Sequence, residues 1–284
     1  MIEILQHGLY TSIQDMGRFD YQSFGVPLSG ALDQHAFRIG NQLLNNPERA
    51  AALECTLKGP KIRFHKNSYI ALTGADMQPQ LNGKPIKNQT PIEVHENDEL
   101  ELGTAKIGCR AYFAIAGGIK TEKVLGSRSQ FMGLTREERI SKKILLPTGD
   151  SNFKPVKGAR LQIPNLDFNQ KILEVYVGPE YHRLKKAQKK ILEESTFTLS
   201  ELNNRMAYQL NQKLPHQLPQ IWTAPVLPGT VQCTPDGSLI ILMRDAQVTG
   251  GYPRLFQLTD GALHQLAQKK THEKIQFKIL TSIE

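Results

Sequence analysis

Cysteine is scarce in this 284-residue chain: three residues, Cys55, Cys109 and Cys233, lie far apart with no C-x-x-C pair. That spacing excludes a disulfide framework and gives little support to a sulfur-bound metal. Eight histidines are present without an H-E-x-x-H or other close pairing, so no metal site is expected. Long hydrophobic runs are also missing; no segment approaches the roughly 20 apolar residues of a membrane-spanning helix. The opening MIEILQHGLYTSIQD lacks the basic region and apolar core of a signal peptide, so a cytoplasmic location is expected. Neither the phosphate-binding pattern G-x-x-x-x-G-K-[ST] nor the dinucleotide pattern G-x-G-x-x-G occurs, and no G-x-S-x-G nucleophile elbow is found.

What is present is ordinary for a soluble globular chain: 39% hydrophobic, 22% charged, and no low-complexity tract. The formal charge of +8 raises the question of nucleic acid, but the lysines are spread along the chain. The densest cluster, Arg183-Leu184-Lys185-Lys186-Ala187-Gln188-Lys189-Lys190, places Leu184, Ala187, Ile191 and Leu192 on one face of a helix opened by Pro179-Glu180. Its lysines then form a solvated face, with an acidic protein partner as the second reading. No RNA-binding aromatic signature or zinc-finger spacing accompanies them, so neither nucleic acid nor membrane is expected as a partner.

Taken in order, Ile2 to Ile13 reads as a strand broken at Gly8, followed by the polar turn Gln14-Asp15-Met16-Gly17-Arg18. Leu32, Ala36, Ile39, Leu43 and Leu44 recur at helical spacing, with Asp33 in the first turn. Asn46 and Pro47 then offer a cap and first residue for a short second helix. Arg38 and Asn41 share a face, which reads as helix surface or capping. Beyond Leu53 the period shortens. Short strands at 56–64, 69–73, 92–94, 99–102 and 110–116 follow, with Asn82-Gly83 as a hairpin signal and 92–94 answering 99–102 across Glu96-Asn97-Asp98. This meander argues for a barrel or sandwich over an alternating βαβ sheet. Ser127 to Gly149 is polar and basic with weak periodicity and reads as an exposed excursion. A boundary near residue 165 divides the chain into domains 1–165 and 166–284.

The stretch Gly237 to Arg254, GSLIILMRDAQVTGGYPR, concentrates the chemistry. Leu239 to Met243 is short and apolar like a buried strand, and Pro235-Asp236-Gly237 links it to Gly229–Thr234 as a hairpin. Asp245, Thr249, Gly250, Gly251, Tyr252 and Arg254 follow at its end, where glycine lets the backbone approach a ligand. With Asn204, Arg205, Tyr208 and Gln232 they form the candidate site. Arginine and backbone N–H groups can hold an anion, and aspartate can accept a proton from nitrogen. Later, Asp260 caps a short helix through Leu266 and Lys274 to Thr281 alternates as a final strand.

Many motifs occur in order along the chain: Gln14-Asp15-Met16-Gly17-Arg18, Gly25-Val26-Pro27, Ser29-Gly30-Ala31-Leu32-Asp33, Leu53-Glu54, Leu72-Thr73-Gly74-Ala75-Asp76, Ala116-Gly117-Gly118, Leu125-Gly126-Ser127-Arg128-Ser129, Asn204-Arg205-Met206, Gly229-Thr230-Val231-Gln232, and Asp245 with Thr249-Gly250-Gly251-Tyr252-Pro253. In these the sequence resembles the allophanate hydrolase subunit 2 family, which takes in KipA, the C component of prokaryotic 5-oxoprolinase and part of the carboxyltransferase domain of urea carboxylase. It departs from the family pattern at Ala207, Gln209, Gln130 and Thr271-His272. The resemblance implies a mainly β (α+β) fold of two cyclophilin-like β-barrel domains, with the second carrying much of the site. It also implies chemistry on an amide or urea nitrogen.

The function expected from it is the C component of an ATP-dependent 5-oxoprolinase, with ATP serving the complex and an A component and a KipI-like B component as partners. Under that reading Arg254 and the Gly250-Gly251 backbone hold the substrate's anionic group. Asp245 acts as base or orienter, and Asn204 and Gln232 position the amide. One alternative is carboxyl transfer from biotin to urea or a related amide; the absence of biotin-attachment and biotin carboxylase modules argues against it. The other is a non-catalytic KipA-like regulator that binds a KipI-like protein.

Overall fold

The computed structural model describes residues 1–141, 143–155 and 167–280. Two compact units divide the chain: Met1–Arg18 with Ser29–Leu166, and Phe19–Leu28 with Asp167–Glu284. The aromatic loop Phe19–Leu28 thus groups with the second unit although its flanks belong to the first. The expected boundary near 165 lies outside the described residues.

In the first unit, the strands are β1 (Ile2–Gln6), β2 (Tyr10–Gln14), β3 (Ala52–Thr56), β4 (Lys61–Phe64), β5 (Ser68–Asp76), β6 (Gln80–Leu81), β7 (Lys84–Pro85), β8 (Ile92–Val94), β9 (Glu99–Glu101), β10 (Ile107–Ile115) and β11 (Ile144–Leu146). They form a six-stranded sheet ordered β11-β1-β4-β9-β6-β7 and a five-stranded sheet ordered β2-β3-β10-β5-β8. Alternating side chains of both sheets meet in one core: Ile2, Ile4, Ile62, Phe64 and Leu100 from one, Ile13, Leu53, Ile70, Leu72 and Phe113 from the other. Among the described residues, the first unit is therefore built as two sheets over a shared core, and a closed barrel forms in the second unit.

Among the described residues of this unit one helix forms, α1 (Gln34–Leu43), and it covers the other face of the five-stranded sheet, where Ala36 and Phe37 pack on Ala52, Ala71, Tyr112 and Ala114. Asp33 is its N-cap, accepting from the Ala36 N–H at 3.0 Å. No second helix follows at Pro47. Asn46 instead ties the chain to its surroundings, donating to Asn41 Oδ1 and Ile115 O and accepting from the Gly117 N–H. Asn41 is buried and donates to Ala50 O, while Arg38 pairs with Glu48 on the surface. The pairing expected between 92–94 and 99–102 does not form: β8 joins β5 and β9 joins β4, so the turn between them carries the chain from one sheet to the other.

In the second unit, β12 (Ile172–Val177), β13 (Phe197–Asn203), β14 (Ala207–Lys213), β16 (Thr230–Cys233), β17 (Ser238–Leu242), β19 (Arg254–Leu258) and β20 (Lys274–Ile279) close a seven-stranded barrel in the order β12-β19-β16-β17-β14-β13-β20. Closure removes the exposed edges that short strands would otherwise present. A separate ribbon pairs β15 (Ala224–Pro225) with β18 (Thr249–Gly250). Phe256 and Phe277 lie 5.2 Å apart in the barrel core, with Phe197 5.4 Å from Phe277. The basic segment forms α2 (Lys186–Glu194), shorter than expected because a separate turn at Tyr181–Arg183 precedes it; Leu184 and Leu192 are buried and the lysines face solvent. The third helix, α3 (Asp260–Ala267), is capped by the Thr259 hydroxyl rather than by Asp260, which occupies its first turn.

Candidate functional site

The hairpin β16–β17 forms as its turn sequence requires, with Val231 opposite Ile241 and Cys233 opposite Leu239. At the end of β17 the chain turns, and the Asp245 N–H donates to Arg205 O at 3.0 Å. That contact lays residues 243–245 along the Arg205-Met206 turn, where the Met243 N–H also donates to Met206 O. Arg205 and Asp245 then meet through their side chains: Nε donates to Oδ2 at 2.7 Å and NH2 to Oδ1 at 3.1 Å. Both side chains are 8% exposed, so this is a buried, two-pronged pair. With both oxygens taken, Asp245 is an orienting group for Arg205, and accepting a substrate proton would require it to leave that partner.

Arg254, at the start of β19, forms the second pair. Its Nε and NH2 each donate to Glu180 at 3.0 Å, its backbone N–H donates to Glu180 Oε2 at 2.9 Å, and NH1 donates to Pro225 O at 3.1 Å. Burial pushes the Glu180 carboxyl up, but the Arg254 side-chain and backbone hydrogen bonds together outweigh it and hold the group below the usual carboxylate range. The same contact raises Arg254. Glu180 thus occupies the fork of Arg254 that a substrate carboxylate would take. The Pro225 contact fastens β15, and with it the ribbon, to the barrel. In sequence Glu180 reads only as a helix opener, and nothing local distinguishes it, since its partner is 74 residues away.

The remaining candidates divide by exposure. Gln232 is 1% exposed, and its amide Nε2 lies 3.4 Å from Tyr252 O. Gly250 passes so close over that amide that a Cβ there would sit 2.6 Å from Nε2, which explains glycine at this position. Tyr208 is buried in β14, inside the barrel wall. Asn204 is exposed, with Oδ1 accepting from the Met206 and Ala207 N–H groups in a tight turn. Thr249 is exposed, Tyr252 is 37% exposed, and Gly251 O accepts from the Ile221 N–H. The structure therefore joins Arg205 with Asp245, Gln232 with Gly250 and Tyr252, and Arg254 with Glu180, and leaves Asn204 and Thr249 toward solvent.

A second polar centre, in the first unit, is not apparent from the sequence. The segment expected as an exposed excursion instead buries Ser127 and Ser129 completely. Asp15 Oδ1 accepts from Ser127 Oγ at 2.6 Å, Ser129 Oγ at 2.7 Å and the Gly17 N–H at 2.8 Å, and Oδ2 accepts from the Arg128 N–H at 2.7 Å. Arg18, fully buried, donates to Val124 O and Ser129 O. Gly30, at φ +87°, lets the chain cross Met16-Gly17, where a Cβ would meet backbone atoms at 2.9 Å. Nearby, Glu54 Oε2 accepts from Tyr112 Oη and from the Leu32 N–H, both at 2.8 Å. These partners are more than a hundred residues apart for the serines, so their only local signal is the polar Ser-x-Ser spacing.

Residues 24–279 match the family described as the carboxyltransferase domain, subdomain A and B. The chain belongs to this family. It is 33% identical to the C component of the 5-oxoprolinase of Escherichia coli, over 98% of this chain and 90% of that protein. It is 46% identical to the urea amidolyase of Lachancea kluyveri over 45% of this chain, a stretch that is 7% of the larger protein. In structure it superposes on the urea amidolyase of K. lactis with a TM-score of 0.87 and 28% identity, covering 99% of this chain and 19% of that one. The family match thus includes the whole of the closed barrel and both ion pairs.

Neither cofactor named by the resemblance finds a matching donor set at the candidate site. A triphosphate needs unmatched cations or a nest of backbone N–H groups, and the two arginines here are each matched by a carboxylate. The neutral ureido ring of biotin needs both amide donors and acceptors, and of the two candidate amides Gln232 lies beneath Gly250 while the Asn204 oxygen is already taken by the Met206 and Ala207 N–H groups. The thiols offer no alternative: Cys55 and Cys233 are buried and pushed up to about 12, chiefly by burial.

Proposed function

We propose that the chain is the C component of an ATP-dependent 5-oxoprolinase, a cytoplasmic complex that opens the cyclic amide of 5-oxoproline to glutamate. The observation that carries this reading is the end-to-end likeness to the C component of E. coli 5-oxoprolinase, which spans 90% of that protein. An A component and a KipI-like B component are the partners, and ATP is assigned to them, since both arginines of the candidate site are already paired. Water's oxygen adds to the ring carbonyl carbon as the carbon–nitrogen bond breaks, and both of water's protons pass to the released nitrogen, leaving a carboxylate and an ammonium group. On this chain Asn204 presents the exposed amide that positions the ring, Arg205 held by Asp245 fixes the turn that carries Asn204, and Arg254 with Glu180 fixes the ribbon that bears Thr249 and Gly250.

The test is to purify the chain with its A and B partners and follow glutamate release from 5-oxoproline with ATP. The reading requires turnover only with all three chains, and loss in Arg205→Met and Asn204→Ala variants that keep the assembly. Unchanged turnover in both variants removes the site assignment. Carboxyl transfer from biotin is the second reading, favoured by the family match and by the urea amidolyase superposition. Carboxylated product from urea and carboxybiotin, without glutamate release, would select it.

A further inference from the structure

The first unit contains a cavity of about 250 Å³ that belongs to neither ion pair. Its floor is the core itself: Ile13, Ile140 and Leu146 are 3%, 4% and 1% exposed, and Val124 and Ile144 extend the apolar wall. The wall is pinned at both ends of the covering segment. Gln130 accepts from and donates to the Ile13 backbone, its side-chain Oε1 and main-chain N–H each at 2.9 Å, and the Ile140 N–H donates to Thr11 O at 2.8 Å. A space bounded this way does not collapse when empty.

Charge sits at the mouth. Arg128, Arg136 and Arg139 line the cavity with Glu122 and Glu137, a formal net charge of +1. Arg139 is engaged, 3.7 Å from Glu138 and over the Tyr10 ring at 5.3 Å. Arg128 is half-buried and held twice, its backbone N–H on Asp15 Oδ2 and its Nε on Thr121 O at 2.8 Å. Its terminal N–H groups meet no acceptor among the described residues, unlike the guanidinium groups of Arg63, Arg205 and Arg254, which all face carboxylates.

We propose that this cavity binds a small organic monocarboxylate with an apolar body, its carboxylate on the terminal N–H groups of Arg128 and its hydrocarbon on Ile13, Ile140, Ile144 and Leu146. A pre-positioned guanidinium at the rim of an apolar pocket matches that amphipathic shape. The single net positive charge favours a monoanion, because Glu122 and Glu137 repel a second negative charge. The volume, about eight water molecules at roughly 30 Å³ each, suits a ring of six carbons with its acid group. This site is independent of the proposed hydrolysis.

The probe is cyclohexanecarboxylate, titrated into the intact chain by calorimetry and by ligand-observed NMR, with neutral cyclohexanecarboxamide and inorganic phosphate beside it. Binding of the acid alone is expected. Arg128→Gln should weaken it at least about tenfold, and Ile144→Trp, which fills the cavity from its half-exposed wall, should abolish it, with thermal unfolding followed for each variant. Equal binding of acid and amide, saturation by phosphate, wild-type affinity in Ile144→Trp, or no binding of the acid at millimolar concentration would overturn the proposal.

Discussion

Removing one partner of the Arg205–Asp245 pair is the most demanding check on how the second unit is held. Both side chains are 8% exposed and share two hydrogen bonds of 2.7 and 3.1 Å. Truncating Arg205 to Met keeps its apolar stem but leaves a carboxylate buried without its cation, which costs about 3–5 kcal/mol. Unfolding entropy of roughly 2.1 cal/mol/K per residue converts this into a melting shift. If all 284 residues melt together, the shift is roughly 5–8 °C. If only the second unit, about 130 residues, melts in the transition, it is roughly 11–19 °C. Differential scanning calorimetry reads both the shift and the size of the cooperative unit. The double variant Arg205→Met/Asp245→Leu removes both charges and should recover most of the loss. A single variant that costs under about 1 kcal/mol, or a double variant no better than the worse single one, would refute the claim that the pair is buried and coupled.

Three further outcomes follow from the same geometry. The Glu180 carboxyl is depressed in the fold, so its contribution is complete above the ordinary value of 4.5 and is lost as pH falls through its lower folded value; unfolding midpoints measured from pH 6 to pH 2 should fall more steeply in the native chain than in Glu180→Gln. Asp15→Ala strips the acceptor from two serine hydroxyls and two backbone N–H groups, and denaturant titration should register a loss of roughly 3–5 kcal/mol in the first unit. The chain's one tryptophan, Trp222, is 96% exposed, so its emission should be that of a fully hydrated indole and fully quenched by acrylamide; a blue shift on adding the A and B partners would place the ribbon loop in their interface, and an unchanged spectrum would exclude it.

Much of the architecture was legible because it rests on local periodicity and turn chemistry. The short apolar runs of β5 and β10, the helical spacing of α1 and the Pro235-Asp236-Gly237 hairpin each depend on residues within one element or its neighbour. So does the cluster of polar groups at the end of β17, where an apolar strand gives way to Arg244-Asp245. The sheet assignment of β8 and β9 was not legible, since a turn that changes sheets looks the same in sequence as one that closes a hairpin. The Ser127-Arg128-Ser129 segment reads as exposed because polarity alone cannot show that an aspartate 112 residues earlier will accept both hydroxyls.

By itself the sequence determined that this is a mostly β chain, and the ordered motifs carried its family. It could not decide what the charged residues do. Asp245 and Arg254 were equally suited to touching a substrate or a neighbouring side chain, because side-chain identity specifies charge but not partner. Closure of the barrel brought Arg205 onto Asp245 and Glu180 onto Arg254 across 40 and 74 residues. Burial then strengthened those contacts.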